Sequence, residues 1–378
     1  MTSIYLDYNA STPVDPAVTA AMRPYLDEAF GNPSSGHWAS MPAKAALEKA
    51  RRQVAALLDC EPDEIVFTSG GSEANNLAVK GTFFALRDKG EHIVSTTVEH
   101  PAVLAPCRFL EQQLGAAVTY VPVDSTGRVD PEDVRRAITP RTILISVMHA
   151  NNEVGTIQPI EEIGAIAREH GVRFHTDAAQ SVGKIPTKVD TLGVDLLTIA
   201  GHKLYAPKGV GALYVRGGLR LEPLIHGAGH EHGRRAGTES ALLAVGLGAA
   251  CALAGDLEPM ARVRVLRDRF WDALQESFGD RVALNGHPQH RLPNTLSVSF
   301  VGMIGAEVLS RLDGVAASTG SACHAGRVEL SPVLTAMGVP DKIGMGAVRF
   351  SLGRATTSAE TDAVVDQLRA VTVPSTAG

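Results

Sequence analysis

Along the chain, short apolar runs alternate with longer stretches in which apolar residues recur at i, i+3 and i+4. Ile65-Val66-Phe67, His92 to Thr96, Val118 to Val123, Thr142 to Met148, Val172 to Thr176, Asp195 to Ala200 and Val210 to Val215 predict strands. Between them, Pro42 to Asp59, Ala74 to Lys89, a stretch from Pro101, and Pro159 to His170 predict helices; the last carries Pro159, Glu161 and Glu162 where a helix start favours them. Strand and helix in alternation imply βαβ crossovers, hence an α/β fold with a mostly parallel mixed sheet. After the Ala/Gly/Leu-rich helix Ala241 to Ala254 the pattern changes. A long polar helix from about Leu257, strands over Asn294 to Phe300, Val315 to Ser318 and Ala347 to Ser351, and a closing helix Ser358 to Val371 predict a smaller α+β domain. The expected division is a large domain of residues 14–256 and a small domain of residues 1–13 with 257–378.

Composition narrows the function. A chain of 378 residues buries roughly 75% of its unfolded surface on folding, so it needs no covalent staples. With 35 basic against 41 acidic residues its net charge is −6. No run of like charges suits nucleic acid or an anionic membrane, which leaves a small-molecule partner. No apolar stretch is long enough to span a bilayer, and Met1 to Pro13 lacks a signal-peptide layout, so the expected address is cytoplasmic. The four cysteines, Cys60, Cys107, Cys251 and Cys323, are too sparse for a disulfide scaffold and form no CxxC pair.

In open α/β sheets, ligands sit beyond the carboxyl ends of the strands. Phe67 is followed by Thr68-Ser69-Gly70-Gly71-Ser72-Glu73, where bare glycine backbone, a hydroxyl and a helix start make a seat for phosphate or a plain turn. Val172 to Thr176 runs into Asp177, and Thr198-Ile199-Ala200 runs into Gly201-His202-Lys203. Alone, Asp177 and Lys203 read as structural ion-pair members. Together, behind a phosphate turn, they suit a Schiff-base lysine and a carboxylate for a pyridine nitrogen, the arrangement for pyridoxal 5'-phosphate (PLP). His100 follows a strand and can stack on a planar cofactor, move protons, or be a loop histidine. Asn151-Asn152-Glu153 can orient a ligand or cap the turn before Gly155. Cys60, Cys107 and Cys251 read as small buried apolar residues. Cys323, in Gly320-Ser321-Ala322-Cys323-His324-Ala325-Gly326, reads as an exposed, mobile thiol, and Arg349 can clamp a carboxylate. In the His226 to Arg235 stretch, glycine between the histidines leaves metal ligands unsupported; a loop presenting Arg and Thr238 across a subunit interface is favoured, and no metal is expected.

From Tyr5-Leu6-Asp7-Tyr8-Asn9-Ala10-Ser11-Thr12-Pro13 to Arg349-Phe350-Ser351-Leu352-Gly353-Arg354 the chain resembles the PLP-dependent cysteine desulfurases of aminotransferase-like fold type I, the NifS and IscS group. The carrying motifs include Thr68 to Glu73, Glu99-His100, Asn151 to Gly155, Asp177 to Gln180, Gly201 to Lys203, Arg235 to Thr238 and Gly320 to Cys323. The resemblance implies that Lys203 bears the cofactor, Asp177 binds its ring nitrogen, Gln180 its ring hydroxyl, and His100 stacks on the ring. It implies that Gly71, Ser72 and His202 hold the phosphate, with Thr238 supplied by the other subunit of a homodimer. Asn151 and Arg349 would bind the substrate carboxylate, and Cys323 would take sulfur from L-cysteine as a persulfide, leaving alanine. A sulfur-acceptor protein is then a partner. Ala200 stands where many relatives have Ser, so one phosphate hydroxyl is absent. Cys323-His324 and Ser331-Pro332-Val333-Leu334 are also similar to selenocysteine lyases, one alternative reading. Another is a PLP-containing sulfur-carrier partner with little activity of its own.

Overall fold

A computed structural model describes residues 3–319, 321–324 and 327–372. Strand β1 (Ile4–Tyr5) leads the chain into a seven-stranded sheet: β2 (Ile65–Thr68), β3 (His92–Thr96), β4 (Ala117–Val121), β5 (Thr142–Ser146), β6 (Arg173–Asp177), β7 (Leu196–Ala200) and β8 (Gly211–Val215). Their order is β2-β8-β7-β6-β5-β3-β4. Every neighbouring pair is parallel except those made by β8, which runs antiparallel to both β2 and β7. Strands β2, β3, β5, β7 and β8 are buried along their whole length, as strands covered by helices on both faces must be.

The predicted strands hold with shifted ends. The sheet takes up Ala117–Val121 rather than Val118 to Val123, and Thr142–Ser146 rather than Thr142 to Met148. After Ser146 the regular ladder ends, although the amides of Val147 and His149 still donate to the carbonyls of His175 and Asp177 on β6. The helix after β2 begins at Gly71 rather than Ala74, because Gly70, with φ +151°, turns the chain straight from strand into helix. Helices Met41–Leu58 and Ala241–Ala254 pack closely: a Cβ on Gly248 would lie 2.6 Å from Ala50 Cα, so only glycine permits this approach.

Beyond the helix Glu258–Phe278 come β9 (Val282–Asn285), β10 (Thr295–Phe300), β11 (Val315–Ala316), β12 (Ser318–Thr319), β13 (Ser321–His324), β14 (Arg327–Leu330) and β15 (Ala347–Ser351). An antiparallel sheet of order β12-β15-β10-β9 forms a second layer, β1 pairs with β11, and β13 pairs with β14. A separate apolar core joins Ile4 and Leu6 to Met260, Phe270, Leu296, Val348, Phe350 and Leu368. Periodicity missed β9 and also β13, whose small residues Ser321-Ala322-Cys323-His324 give no strand alternation but pair with β14. Among the described residues no single helix is long and apolar enough to cross a membrane.

Candidate active site

The carboxyl ends of β2, β6 and β7 open into one cavity of about 510 Å³, lined by Gly71, Ser72, His100, Asp177, Gln180, His202 and Lys203 among others. This volume suits a small cofactor with its substrate. Seven of the residues singled out from sequence therefore meet in one place. At one end, the helix Gly71–Leu86 presents its unpaired N-terminal amides, a seat for an anion. A Cβ on Gly71 would lie 3.1 Å from the Cβ of Ala200, so these two small residues make the floor together. Glu73, in the first turn, accepts from the Ser69 amide at 2.8 Å and pairs with Arg235 at 2.9 Å. Burial raises its proton affinity, but the Arg235 and Ser69 bonds outweigh burial and hold the carboxyl below its usual range.

Asp177 closes β6 and is buried. Its two oxygens are held in place, one accepting from Asn75 Nδ2 at 2.7 Å and the other from the Ala179 amide at 2.9 Å. Lys203 ends the short turn Gly201–Lys203 after β7, and its Nζ donates to the carbonyls of Asn9 and, at 3.0 Å, Ala10. Burial, then the Arg349 guanidinium, lower its proton affinity to about 8 against the opposing pull of Asp177 and Asp7. A lysine so tuned can exchange a proton near neutral pH. His202 is half-buried, its Nδ1 has no partner among the described residues, and burial with the cations Lys203, Lys208 and Lys184 lowers its pKa to about 4. It is thus a neutral imidazole with a ring nitrogen to spare.

His100 caps the helix Pro101–Leu114, its Nδ1 accepting from the Ala102 amide at 3.0 Å. That bond leaves the proton on Nε2. Burial and Lys203 lower its pKa while Asp177 opposes them, so the ring is neutral at pH 7.

The substrate-side residues are placed differently. Asn151 is fully buried, and its side chain is committed to the turn: Nδ2 donates to Val98 O at 3.0 Å, while Oδ1 accepts from the Glu153 and Val154 amides. It is Asn152, not Asn151, that lines the cavity. Arg349, on β15, lies outside the lining; it donates to Asn152 O at 2.8 Å, Asp7 at 2.7 Å and Ser318 at 2.9 Å, and its buried Nε has no partner among the described residues. Thr238 lines an adjoining smaller cavity that shares Ser69, Gly209 and Val210 with the first. Cys323 sits on β13 opposite Val328; its side chain lies outside the described residues. The other three thiols, Cys60, Cys107 and Cys251, are free and each pushed up to about 12 by burial, which makes them inert as nucleophiles.

Sequence reasoning missed Asn75, Asp7 and Asn9. Asn75 lies on the mostly apolar buried side of its helix, a polar break in the pattern that could have marked it. Asn9 donates to Thr295 Oγ1 and Asn152 O and accepts from Asn294, tying the N-terminal segment to both layers.

A phosphate seat, a fixed carboxylate, neutral imidazoles and a lysine of lowered proton affinity fit pyridoxal 5'-phosphate, and fold and site together define a PLP-dependent enzyme of fold type I. Residues 4–364 match the model of the class-V aminotransferases. A cysteine desulfurase IscS of Dictyoglomus turgidum is 49% identical over 373 residues, 97% of this chain and 94% of that protein. Another from Methanosarcina thermophila is 49% identical over 368 residues, 96% and 90% of the two chains. A solved NifS-like protein superposes with TM-score 0.92 at 37% identity, covering 98% of this chain and 99% of that one. SspA in complex with cysteine superposes with TM-score 0.84 at 39% identity, covering 94% and 100%. The chain belongs to the class-V aminotransferase family, in its IscS and NifS group of cysteine desulfurases.

Proposed function

We propose that this protein is a PLP-dependent cysteine desulfurase that converts L-cysteine to L-alanine and holds the sulfur as a persulfide on Cys323 for an acceptor protein. The convergence of Lys203 and Asp177 from adjacent strand ends on one cavity, with the Gly71 helix start beside them, carries this reading. Gly71, Ser72 and His202 would hold the cofactor phosphate, Asp177 its ring nitrogen, Gln180 its ring oxygen, and His100 would cover its face. Bound there, PLP supplies an electrophilic carbon for an amine and a sink for the electron pair left when a Cα–H bond breaks. Lys203, with its lowered proton affinity, takes the Cα proton and returns one to the cofactor side. Asp177, held in place by Asn75 and Ala179, would pair with the ring nitrogen. Arg349 and the Asn151 turn would receive the substrate carboxylate, Arg349 exchanging its Asp7 bond for the ligand. The Cys323 thiolate then attacks the substrate sulfur: an S–S bond forms, the C–S bond breaks, and the carbon fragment takes a proton and leaves as alanine. No external oxidant or reductant enters.

Separate apolar cores on the two sides support dividing the chain into residues 14–256 and residues 1–13 with 257–378, a smaller cluster of Val98, Met148 and Val154 with Val333, Leu334 and Met337 packing the two together. A homodimer is supported by the exposure of Leu26, Phe30, Trp38 and Met41, with Thr238 then reaching the partner's phosphate seat. Because Cys323 must stay free between turnovers, the protein works in a reducing compartment such as the cytoplasm. The test is turnover of L-cysteine and L-selenocysteine by the purified, PLP-loaded protein, with a dithiol added to reduce the persulfide and release its sulfur as sulfide. Alanine and sulfide from cysteine support the assignment; selenide release with no sulfide from cysteine would assign a selenocysteine lyase instead.

A further inference from the structure

Behind the cavity lies a second buried lysine that none of the proposed steps uses. After β6 the chain turns tightly, the amides of Ser181 and Val182 both donating to Ala178 O, and Lys184 comes back beneath Gln180. Lys184 Nζ donates to Gln180's own carbonyl at 2.9 Å and to its side-chain Oε1 at 3.0 Å. On the other side, Gln180 Nε2 donates to the Asn9 carbonyl at 2.9 Å. An ammonium only donates and a carbonyl only accepts, so this amide has a single orientation available. Its second Nε2–H has no protein partner among the described residues, and Gln180 lines the cavity.

We propose that Lys184 is a positioning residue: it locks the Gln180 amide with an N–H directed into the cavity, making Gln180 a donor to an anionic oxygen on the ring of the bound cofactor. This rests on the PLP reading above. Without Lys184 the amide could rotate and offer its carbonyl oxygen, which would repel the same anion.

The surroundings of Lys184 fit that role. It is buried, and among the described residues no carboxylate pairs with it. Facing it are Lys203 and His202 from the turn after β7, Arg349 and Arg354 from the small domain, and the phenols of Tyr8 and Tyr205. Burial first, then Lys203 and Arg349, lower its proton affinity to about 7. Its ammonium form therefore lacks a counter-charge until an anion fills the cavity, so filling the cavity and holding the proton on Lys184 favour one another.

The experiment compares PLP-loaded wild type with Lys184→Met, which keeps length and apolar bulk but cannot donate. A donor and a cation near the ring oxygen favour the bound cofactor's form with one proton fewer. The midpoint of its pH-dependent absorbance change should therefore rise by about one pH unit in Lys184→Met, of the order expected for losing a hydrogen bond to a charged group. Melting of the apoprotein should not fall, since the substitution removes a buried unpaired cation; a role confined to bracing the turn would lower it and leave the midpoint in place. A second measurement needs no Lys184 variant. In wild type labelled with 15N-glutamine, with Gln180→Leu used to assign the signal, one Gln180 side-chain proton should move downfield when PLP binds. Unmoved Gln180 protons, or a Lys184→Met midpoint equal to wild type, overturn the role of Lys184 while PLP binding stands. Wild type that takes up no PLP contradicts the proposed function itself.

Discussion

The cofactor side and the sulfur side of this molecule are built in opposite ways. On the cofactor side, Asp177, Lys203, His100 and Gln180 each follow a strand end or start a helix and are held by hydrogen bonds, those of Asp177, Lys203 and Gln180 to the buried Asn75 and Asn9. On the sulfur side, Cys323 sits on the β13–β14 pair, which joins no larger sheet among the described residues. Just beyond the far end of that hairpin, the Ser331 hydroxyl donates to the half-buried Glu153 beside Asn152. Proton removal at a carbon needs groups fixed to a fraction of an ångström, whereas a thiol that collects sulfur and hands it on has two addresses to reach. The contrast thus follows from the chemistry each side has to do.

Lys203→Ala strikes the fixed side hardest. Turnover of L-cysteine should fall by about a thousandfold or more, and the absorbance of lysine-linked PLP should vanish. Retained colour with retained turnover would mean that another residue holds the cofactor. Cys323→Ser breaks the other side alone. The absorbance of bound PLP and its change on adding L-cysteine should persist while sulfur transfer to a protein acceptor is lost; normal transfer would remove Cys323 from the mechanism.

Ser331→Ala sharpens the comparison at the tie between the two sides. Ser331 also caps the helix Pro332–Ala336, accepting from the Val333 amide at 3.1 Å. Denaturant unfolding should show a loss of about 1 kcal/mol. The rate of sulfur transfer should drop several-fold, with the PLP absorbance unchanged. A spectrum altered as much as the transfer rate would show that the sides are not separable.

The smallest effect concerns Glu99, next to His100. Its carboxyl is fully buried, accepts from Thr96 and the Met148 amide at 2.8 Å, and has one oxygen without a partner among the described residues. Burial raises its pKa from 4.5 to about 8, and Asp177 adds to the rise. The folded state therefore holds this proton after the unfolded chain has released it. Its stabilising contribution is complete below about pH 4.5 and is lost as pH rises through about 8. Glu99→Gln, which cannot ionise, should melt at a temperature increasingly above wild type as pH goes from about 5 to about 8. A gap that stays constant across that range would place an ionised Glu99 in the folded protein.

Much of the cofactor side was legible in the residue order, because the physics that writes it is local. A buried parallel strand is a short apolar run, and a ligand residue stands directly after it, so Asp177 and the Lys203 turn are visible as polar breaks at run ends. Residues that act across the fold left no such mark. Asn9 reaches Thr295 and Asn294 only because the N-terminal segment is folded against the start of β10. The Asn151 turn shows the limit most plainly. Two adjacent asparagines are equivalent by type, and only the backbone path decides that Asn151 spends its amide on the turn while Asn152 borders the cavity. The small residues around Cys323 hid β13, because its pairing with β14 rests on backbone bonds that leave no mark in Ser-Ala-Cys-His.

The central claim is that sulfur passes from L-cysteine to Cys323 over a lysine-held cofactor. Mass spectrometry of the PLP-loaded protein after brief incubation with L-cysteine, without reductant or acceptor, tests it most directly. The account predicts the mass of added sulfur on the peptide that contains Cys323, none on those of Cys60, Cys107 and Cys251, and none anywhere in Lys203→Ala. Alanine formed at the wild-type rate with Cys323 unmodified, or sulfur carried on one of the other three thiols, would contradict it.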